Sequence, residues 1–422
     1  MEDWFKDSSI EESLHSFLGE PHEPSVSVRL NPSKPAPLDF GLGDKVLWCS
    51  DGYFLDSRPL FTADPLFHAG AYYVQDSSAM FPGRVFEEIL PSVKADGFLR
   101  VLDLCAAPGG KTTYLLSVLE KALPGKFLLT ANEVENSRAT ILCDNVARWG
   151  SSSAVVTSVD PKAFSPLEGY YDIILADVPC SGEGMFWKDK KALEQWSPQT
   201  VDFCQARQRR ILSDVWPALR TGGVLIYSTC TFNNKENDQN VSWIARTLGA
   251  EVIDLKISYP GIIDTKFGFV LVPGSVRGEG QYCAALVKTS PAGRRAAGKG
   301  TIGPKKDIQV YLPEPLAKDA PVMERLKPLR MGTAVGSYKG KDFIPHPDLA
   351  LSGVLDKYGY ERVELSLYLA QSYLRREAIA LPDAPLGYLA VTYKGLPLGF
   401  VKNIGKRCNN LLPAGRRIRM EL

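Results

Sequence analysis

Residues 99–113, LRVLDLCAAPGGKTT, set an apolar strand against a Gly-Gly turn and the opening of a helix. In an open α/β sheet, ligands settle outside the carboxyl ends of the strands, and a turn of this kind is where a nucleotide-like cofactor is cradled. Asp103 closes the strand, and Cys105, Ala106, Ala107, Pro108, Gly109, Gly110 and Lys111 form the turn. Small residues and paired glycines let the backbone come close to a ligand at the helix start. The G-x-G-x-x-G pattern is missing and Lys111 is not in a phosphate-loop context, which disfavours a nicotinamide or a nucleoside triphosphate. The same turn also suits tight strand-to-helix packing with no ligand at all.

Downstream the strand-helix rhythm continues. Strands are expected at 98–104, 126–132, 153–159, 171–177, 223–229, 250–255 and 281–288, with helices at 111–121, 135–149, 199–219 and 235–248. This alternation predicts an α/β, Rossmann-like domain: a mainly parallel, seven-stranded sheet with helices on both faces. Residues 1–90 mix short apolar runs with turn residues, as in SVSVRLNPSK, and read as a small α+β lead-in domain. The sheet domain is expected at 91–289. The composition then shifts to SPAGRRAAGKGTIGPKK, which marks 290–345 as a basic linker region. Residues 346–422 hold a helical segment at 365–379 and two β-rich runs around Lys394-Gly395, giving a small β-rich module.

The chain has 422 residues and a formal net charge of +1, so total charge singles out no partner. Basic residues gather in the stretch 294–341 and the tail 402–419, and local basic surface can meet phosphate. MEDWFKDSSI has no apolar core after a basic start, and no run of about 18 apolar residues occurs, so a cytoplasmic protein without a membrane span is expected. Eight cysteines stand singly, with no CxxC pair, which argues against a zinc ribbon or a disulfide framework; no metal is expected.

Two of those cysteines follow strand ends: Cys180 in DVPCSGEG and Cys230 in YSTCTF. Inert buried thiols are the default reading, and it is kept for Cys49, Cys143, Cys204, Cys283 and Cys408. A cysteine at a strand's carboxyl end instead supplies a nucleophile to whatever occupies the crevice. Asp103, Glu133 and Asp160 recur at three successive strand ends, where an acid can hold ribose hydroxyls. Carbon 5 of cytosine is a weak nucleophile; a thiolate adding to carbon 6 makes the ring enamine-like and able to attack a methyl sulfonium. A carboxyl such as Asp177 would stabilise charge developing at ring nitrogen 3. One thiol attacks and a second polarizable group assists release, so two strand-end cysteines fit this chemistry.

At these residues the chain closely resembles the Sun-type family of RNA cytosine-5 methyltransferases, in particular its RsmF-like branch. SVRLNPSK and HAGAYYVQDSSAM resemble the lead-in domain, LDLCAAPGGKTT the cofactor loop, NEVENSRATILCDNVARWG the ribose-acid helix, and DVPCSGEGMFWKD and YSTCTFNNKENDQNV the two cysteine motifs. The resemblance implies S-adenosyl-L-methionine in the loop Cys105–Lys111, with contacts from Glu133, Asp160 and Asp177. It also implies Cys230 as the covalent nucleophile and Cys180 as the residue assisting product release. SLYLAQSYLRREAI and LAVTYKGLPLGFVKNIGKRCNNLLPAGRR resemble a PUA-type RNA-binding module, whose Lys402, Lys406, Arg407, Arg416, Arg417 and Arg419 would contact phosphates. Tyr282 and Cys283 stand where relatives carry consecutive aromatics.

The expected partner is therefore RNA, in the branch's case that of the small ribosomal subunit, bound by a monomer. Transfer RNA is the runner-up substrate. A non-catalytic RNA-binding assembly factor would need a broken loop or a missing thiol, and both are intact. A thiol hydrolase would need a histidine base, and His15, His22, His68 and His346 all lie outside the sheet domain.

Overall fold

The computed structural model describes residues 25–186, 194, 196–293 and 308–420. Near-continuous apolar runs such as LRVLD, FLLTAN and AVVT can sit only where both faces of a strand are covered, and they form the centre of the molecule. An N-terminal module comes first, with β1 (Val26–Leu30), β2 (Gly52–Leu55) and β3 (Tyr72–Val74) in an antiparallel sheet of order β2-β1-β3. The central sheet follows with β4 (Leu99–Asp103), β5 (Phe127–Asn132), β6 (Ala154–Thr157), β7 (Tyr171–Asp177) and β8 (Leu219–Thr229), all mutually parallel. Antiparallel strands extend it: β9 (Ala250–Val252), β10 (Ile262–Asp264), β11 (Phe269–Leu271) and β12 (Gln281–Lys288) beyond β8, and a later short strand beyond β6.

Successive residues of the strands alternate between two cores. Leu99, Val101, Leu129 and Ala131 pack with Leu115, Leu116 and Leu119 of helix Gly110–Ala122 and with Leu142 and Val146 of helix Asn136–Trp149. Leu102, Leu128, Val155, Ile174 and Leu225 face the other way, onto Ile211, Leu212 and Val215 of helix Pro198–Val215. Period-two alternation on the strands and helical spacing on the covers therefore build one layered domain.

The sheet has ten strands rather than seven. The additional ones are β10, β11 and β14 (Arg330–Met331), two or three residues long and too short to show alternation in the sequence. Half of the sheet, rather than most of it, is parallel: β4 to β8 run together and the other five strands run antiparallel. The segment expected as linker is also folded from Ile308 onward. It holds β13 (Ile308–Tyr311), helix Glu314–Met323, β14, β15 (Thr333–Lys339) and β16 (Asp342–Pro345). Leu316, Val322 and Met323 of that helix complete the second core, and Asp319 pairs with Arg100 at 2.5 Å. Glycine-rich, basic composition at 290–306 masked the apolar spacing that follows it.

The C-terminal module sets β17 (Arg362–Glu364), β18 (Gly387–Tyr393), β19 (Leu396–Asn403) and β20 (Cys408–Asn410) in one sheet. As expected, Lys394 and Gly395 form the tight turn, both with positive φ, between the two β-rich runs. The helix foreseen at 235–248 is instead a short α-helix, Asp238–Trp243, continued by a π-turn to Gly249.

Candidate active site

The register of the central strands decides what meets at the sheet's carboxyl edge. On the adjacent parallel strands β7 and β8, Asp177 is the register partner of Ser228, so the loops that follow emerge side by side. Cys180 lies three residues past the first and Cys230 two past the second. Their sulfurs stand 2.8 Å apart, and both are free thiols. Val178 N–H donates to Ser228 O at 3.1 Å and Gly184 N–H to Cys230 O at 3.0 Å, stitching the two loops along their length.

The loop after β4 reaches the same place. Lys111 Nζ lies 2.8 Å from Asp177 Oδ2, while Asp177 Oδ1 accepts from Ser228 Oγ at 2.5 Å and Gln281 Nε2 at 3.0 Å. Burial opposes the charge on Lys111, yet Asp177 first, then Cys230 and Asp103, raise its pKa above the usual lysine value. Burial pushes the Cys105 thiol up, with Asp177, Asp103 and Glu133 adding to it. The hydrogen bond to Cys230, then burial, pushes the Cys180 thiol well above an ordinary cysteine. Cys180 therefore keeps its proton and can donate it toward the Cys230 sulfur.

The turn itself is closed by protein groups. Ala106 N–H donates to Asn132 O at 2.8 Å, Ala107 O accepts from Arg138 at 2.9 Å, and Pro108 O accepts from Asn145 Nδ2 at 2.7 Å. Gly109 has φ +114°, which only glycine tolerates without strain. A Cβ on Gly110 would press on Gln75 at 3.2 Å, so close packing against the N-terminal module accounts for that glycine. The ligand signal comes from Asp103 instead. It is fully buried, accepts from Thr112 Oγ1 at 2.7 Å through one oxygen, and has no partner for the other. Burial drives its carboxyl up to about 7, against the Thr112 hydrogen bond. Glu133, buried at the end of β5, accepts from Glu135 N–H at 3.0 Å and lies 3.4 Å from Arg138. An unpaired acceptor among acids at the strand ends fits a cationic, ribose-bearing ligand such as S-adenosylmethionine.

Asp160 follows β6 and, among the described residues, makes no hydrogen bond to the residues of this cluster. It caps the turn Pro161–Phe164 through Lys162 N–H at 3.0 Å and pairs with half-exposed Arg210 at 3.2 Å. His68 is held elsewhere: its ring bonds Thr62 O at 2.9 Å within the N-terminal module, and burial lowers it to about 4. His346 begins the turn Pro347–Ala350, and His15 and His22 lie outside the described residues. The base a thiol hydrolase would need is absent from the cysteine pair among the described residues. The other five cysteines have thiols pushed up by burial, as inert core thiols do.

Sequence reasoning passed over the residues that hold the cysteine loops. Glu183 accepts from Phe232 N–H at 2.7 Å, Asn233 N–H at 3.0 Å, Asn233 Nδ2 at 2.9 Å and Trp196 Nε1 at 3.2 Å. Glu236 accepts from Ser181 N–H at 3.1 Å and Gln208 Nε2 at 2.6 Å. Both acids are buried inside the quoted motifs, a hint that was available. Arg29 was also unremarked. It reaches from β1 to donate to Gln75 Oε1 at 3.1 Å, Gly110 O at 3.1 Å and Thr113 Oγ1 at 2.5 Å.

Arg416 is paired with Asp144 at 2.9 Å and Asp348 at 2.7 Å, so its guanidinium is engaged within the protein, whereas the Lys402–Asp342 pair at 2.9 Å lies at the surface. Lys406, Arg407, Arg417 and Arg419 remain exposed. Among the described residues no His/Cys/Asp/Glu group is arranged to hold a metal, and no helix is long and apolar enough to cross a membrane.

Fold and site together define a Rossmann-like methyltransferase with a two-cysteine centre. Residues 91–287 match the model of the 16S rRNA methyltransferase RsmB/F family, residues 1–77 the N-terminal domain of 16S rRNA methyltransferase RsmF, and residues 360–418 the methyltransferase RsmF PUA domain. The ribosomal RNA small subunit methyltransferase F of Cronobacter sakazakii is 31% identical over 92% of this chain and 87% of its own length. The chain belongs to the RsmB/F methyltransferase family. The fold is shared with a methyltransferase homolog protein from Pyrococcus horikoshii, with TM-score 0.53 and 24% identity over 66% of this chain and 89% of that one. NSun6 from Pyrococcus horikoshii, solved with SFG, gives TM-score 0.54 and 19% identity over 66% and 95%.

Proposed function

We propose that this enzyme methylates carbon 5 of a cytosine in 16S ribosomal RNA, in the cytoplasm, with Cys230 as the covalent nucleophile. The observation that carries the reading is the 2.8 Å approach of Cys180 and Cys230 beside the Lys111–Asp177 pair. Names of relatives that cover nearly the whole chain support the RNA assignment.

Bound S-adenosylmethionine would supply an electrophilic methyl group. Asp103, Glu133 and the loop Cys105–Lys111 would hold it, with Asp160 at the rim. Cys230 gives its proton to solvent and adds as the thiolate to carbon 6 of the cytosine; the Sγ–C6 bond forms as the C5–C6 π electrons shift into the ring, and carbon 5 gains nucleophilic character. Asp177, already held by three donors, acts as a fixed acceptor that orients the ring's polar edge, while Lys111 offers positive charge where electron density builds up. After methylation water takes the carbon-5 proton, the C5–H electron pair re-forms the C5–C6 double bond, and the Sγ–C6 bond breaks with its electron pair returning to sulfur. The Cys180 S–H, held against that sulfur, hydrogen-bonds to it as it departs.

Bisulfite sequencing of total RNA from cells with and without the gene tests the substrate. One or more 16S cytosines should lose protection in the deletion strain. Protection lost only in transfer RNA would replace the ribosomal reading, and unchanged protection everywhere would remove the activity.

A further inference from the structure

We infer that the cavity between the N-terminal module and helix Asn136–Trp149 binds a nucleotide of the substrate strand outside the catalytic crevice. This rests on the reading that the substrate is RNA. The cavity encloses about 370 Å³, within the range of small-ligand pockets. Its walls are aromatic and its charges are arginines: Phe61, Phe67, Tyr72 and Tyr73 line it together with Arg58 and Arg148.

The state of the two arginines is what points to a ligand. Arg148 lies over the Phe67 ring at 4.9 Å and Arg58 over the Phe61 ring at 5.6 Å. Neither guanidinium has an ion pair or a hydrogen bond among the described residues, although neighbouring Arg416 and Arg138 are paired with carboxylates. Arg148 is half-buried, and an arginine so placed normally finds an acid, while Arg58 is exposed at the cavity's rim. A planar cation resting on a ring beside open space leaves its edge donors for a phosphate, and the aromatic walls give a base a face to stack on.

The surroundings suit an RNA strand. Thr62 on the cavity wall touches Met420 of the C-terminal module at 3.1 Å, next to exposed Arg417 and Arg419, so positive charge continues onto the PUA surface. On the other side the wall is shared with the turn at Gly109-Gly110: Asn145 Nδ2 donates to both Tyr73 OH at 3.4 Å and Pro108 O at 2.7 Å. A nucleotide here would be gripped between the module that meets RNA and the loop that serves the reaction.

The test is steady-state methyl transfer to 16S RNA by the full-length enzyme carrying Arg148→Gln, Arg58→Gln or both, with Arg148→Lys as the conservative variant. The glutamine variants should raise the RNA KM about five- to tenfold, leaving kcat, cofactor affinity and the thermal midpoint unchanged. The salt dependence of RNA binding should flatten by about one unit of slope per arginine lost, with Arg148→Lys retaining its share. An unchanged RNA KM and salt slope in the double variant, while the wild type methylates RNA, would overturn this inference alone. A wild type that transfers no methyl group to RNA would overturn it together with the proposed function.

Discussion

Asp103 is fully buried with one carboxyl oxygen unpartnered, and its pKa is raised from 3.8 to about 7 by burial, with Asp177 and Glu133 adding to the effect. The folded chain thus binds this proton more tightly than the unfolded chain does. Its contribution to stability falls as pH rises from about 4 through 7. A cationic ligand group beside the free oxygen reverses the preference, because it favours the ionised form. Affinity for S-adenosylmethionine should therefore weaken about tenfold between pH 7.5 and 6 in calorimetric titrations, and Asp103→Asn should flatten that dependence. A pH-independent wild type would detach Asp103 from the cofactor. Residues such as Asp103, Asp177 and Cys230 were legible because each ends an apolar strand. Glu183, Gln281 and Arg29 were not: their partners Asn233, Asp177 and Thr113 lie 50, 104 and 84 positions away.

The elements that matter most are the two loops leaving β7 and β8. Backbone amides of Phe232 and Asn233 would be orphaned in a buried loop, and the carboxylate of Glu183 satisfies both. Replacing it with glutamine turns one acceptor oxygen into a donor facing other donors. Glu183→Gln should cost about 1–3 kcal/mol of stability and lower kcat by loosening the Cys230 loop. Denaturant unfolding and turnover measured on the same preparation check this, and a variant with normal stability and kcat would show the loop is held by other contacts. Long elements were readable from period and length: β12 has the expected bounds, and helix Asn136–Trp149 differs by one residue. Two- and three-residue strands were not, since pairing rather than sequence pattern defines them. The helix at 235–248 was overestimated because Glu236 and Asn237 serve the loop network and leave the helix to begin at Asp238.

At the scale of the molecule, the flanking modules are locked to the methyltransferase core through buried charges. Lys34 Nζ donates to the carbonyls of Ala69, Arg148 and Leu351, one from each part of the chain, and burial lowers its pKa to about 7. Asp348 pairs with Arg330 and with Arg416, which itself reaches Asp144 on the core. Burial opposes ionisation of Asp348, but Arg330 and Arg416 prevail and hold it at about 2. Its stabilisation is present above its ordinary value of 3.8 and is lost as pH falls toward 2. Asp348→Asn should cost about 3–5 kcal/mol at neutral pH, a gap that narrows below pH 4 in denaturant titrations. Equal stability at pH 7 would show that the junction does not depend on this pair. Three modules were visible in the sequence, but the junction was not, because Arg416 looks like one more basic tail residue until Asp144 and Asp348 are placed beside it. In the proposed mechanism Cys230 attacks the base and Cys180 lets it go. Cys180→Ala enzyme incubated with 16S RNA and S-adenosylmethionine should accumulate a protein–RNA conjugate that survives denaturing electrophoresis, and adding Cys230→Ala should abolish it. A conjugate that persists in the double variant would contradict the claim.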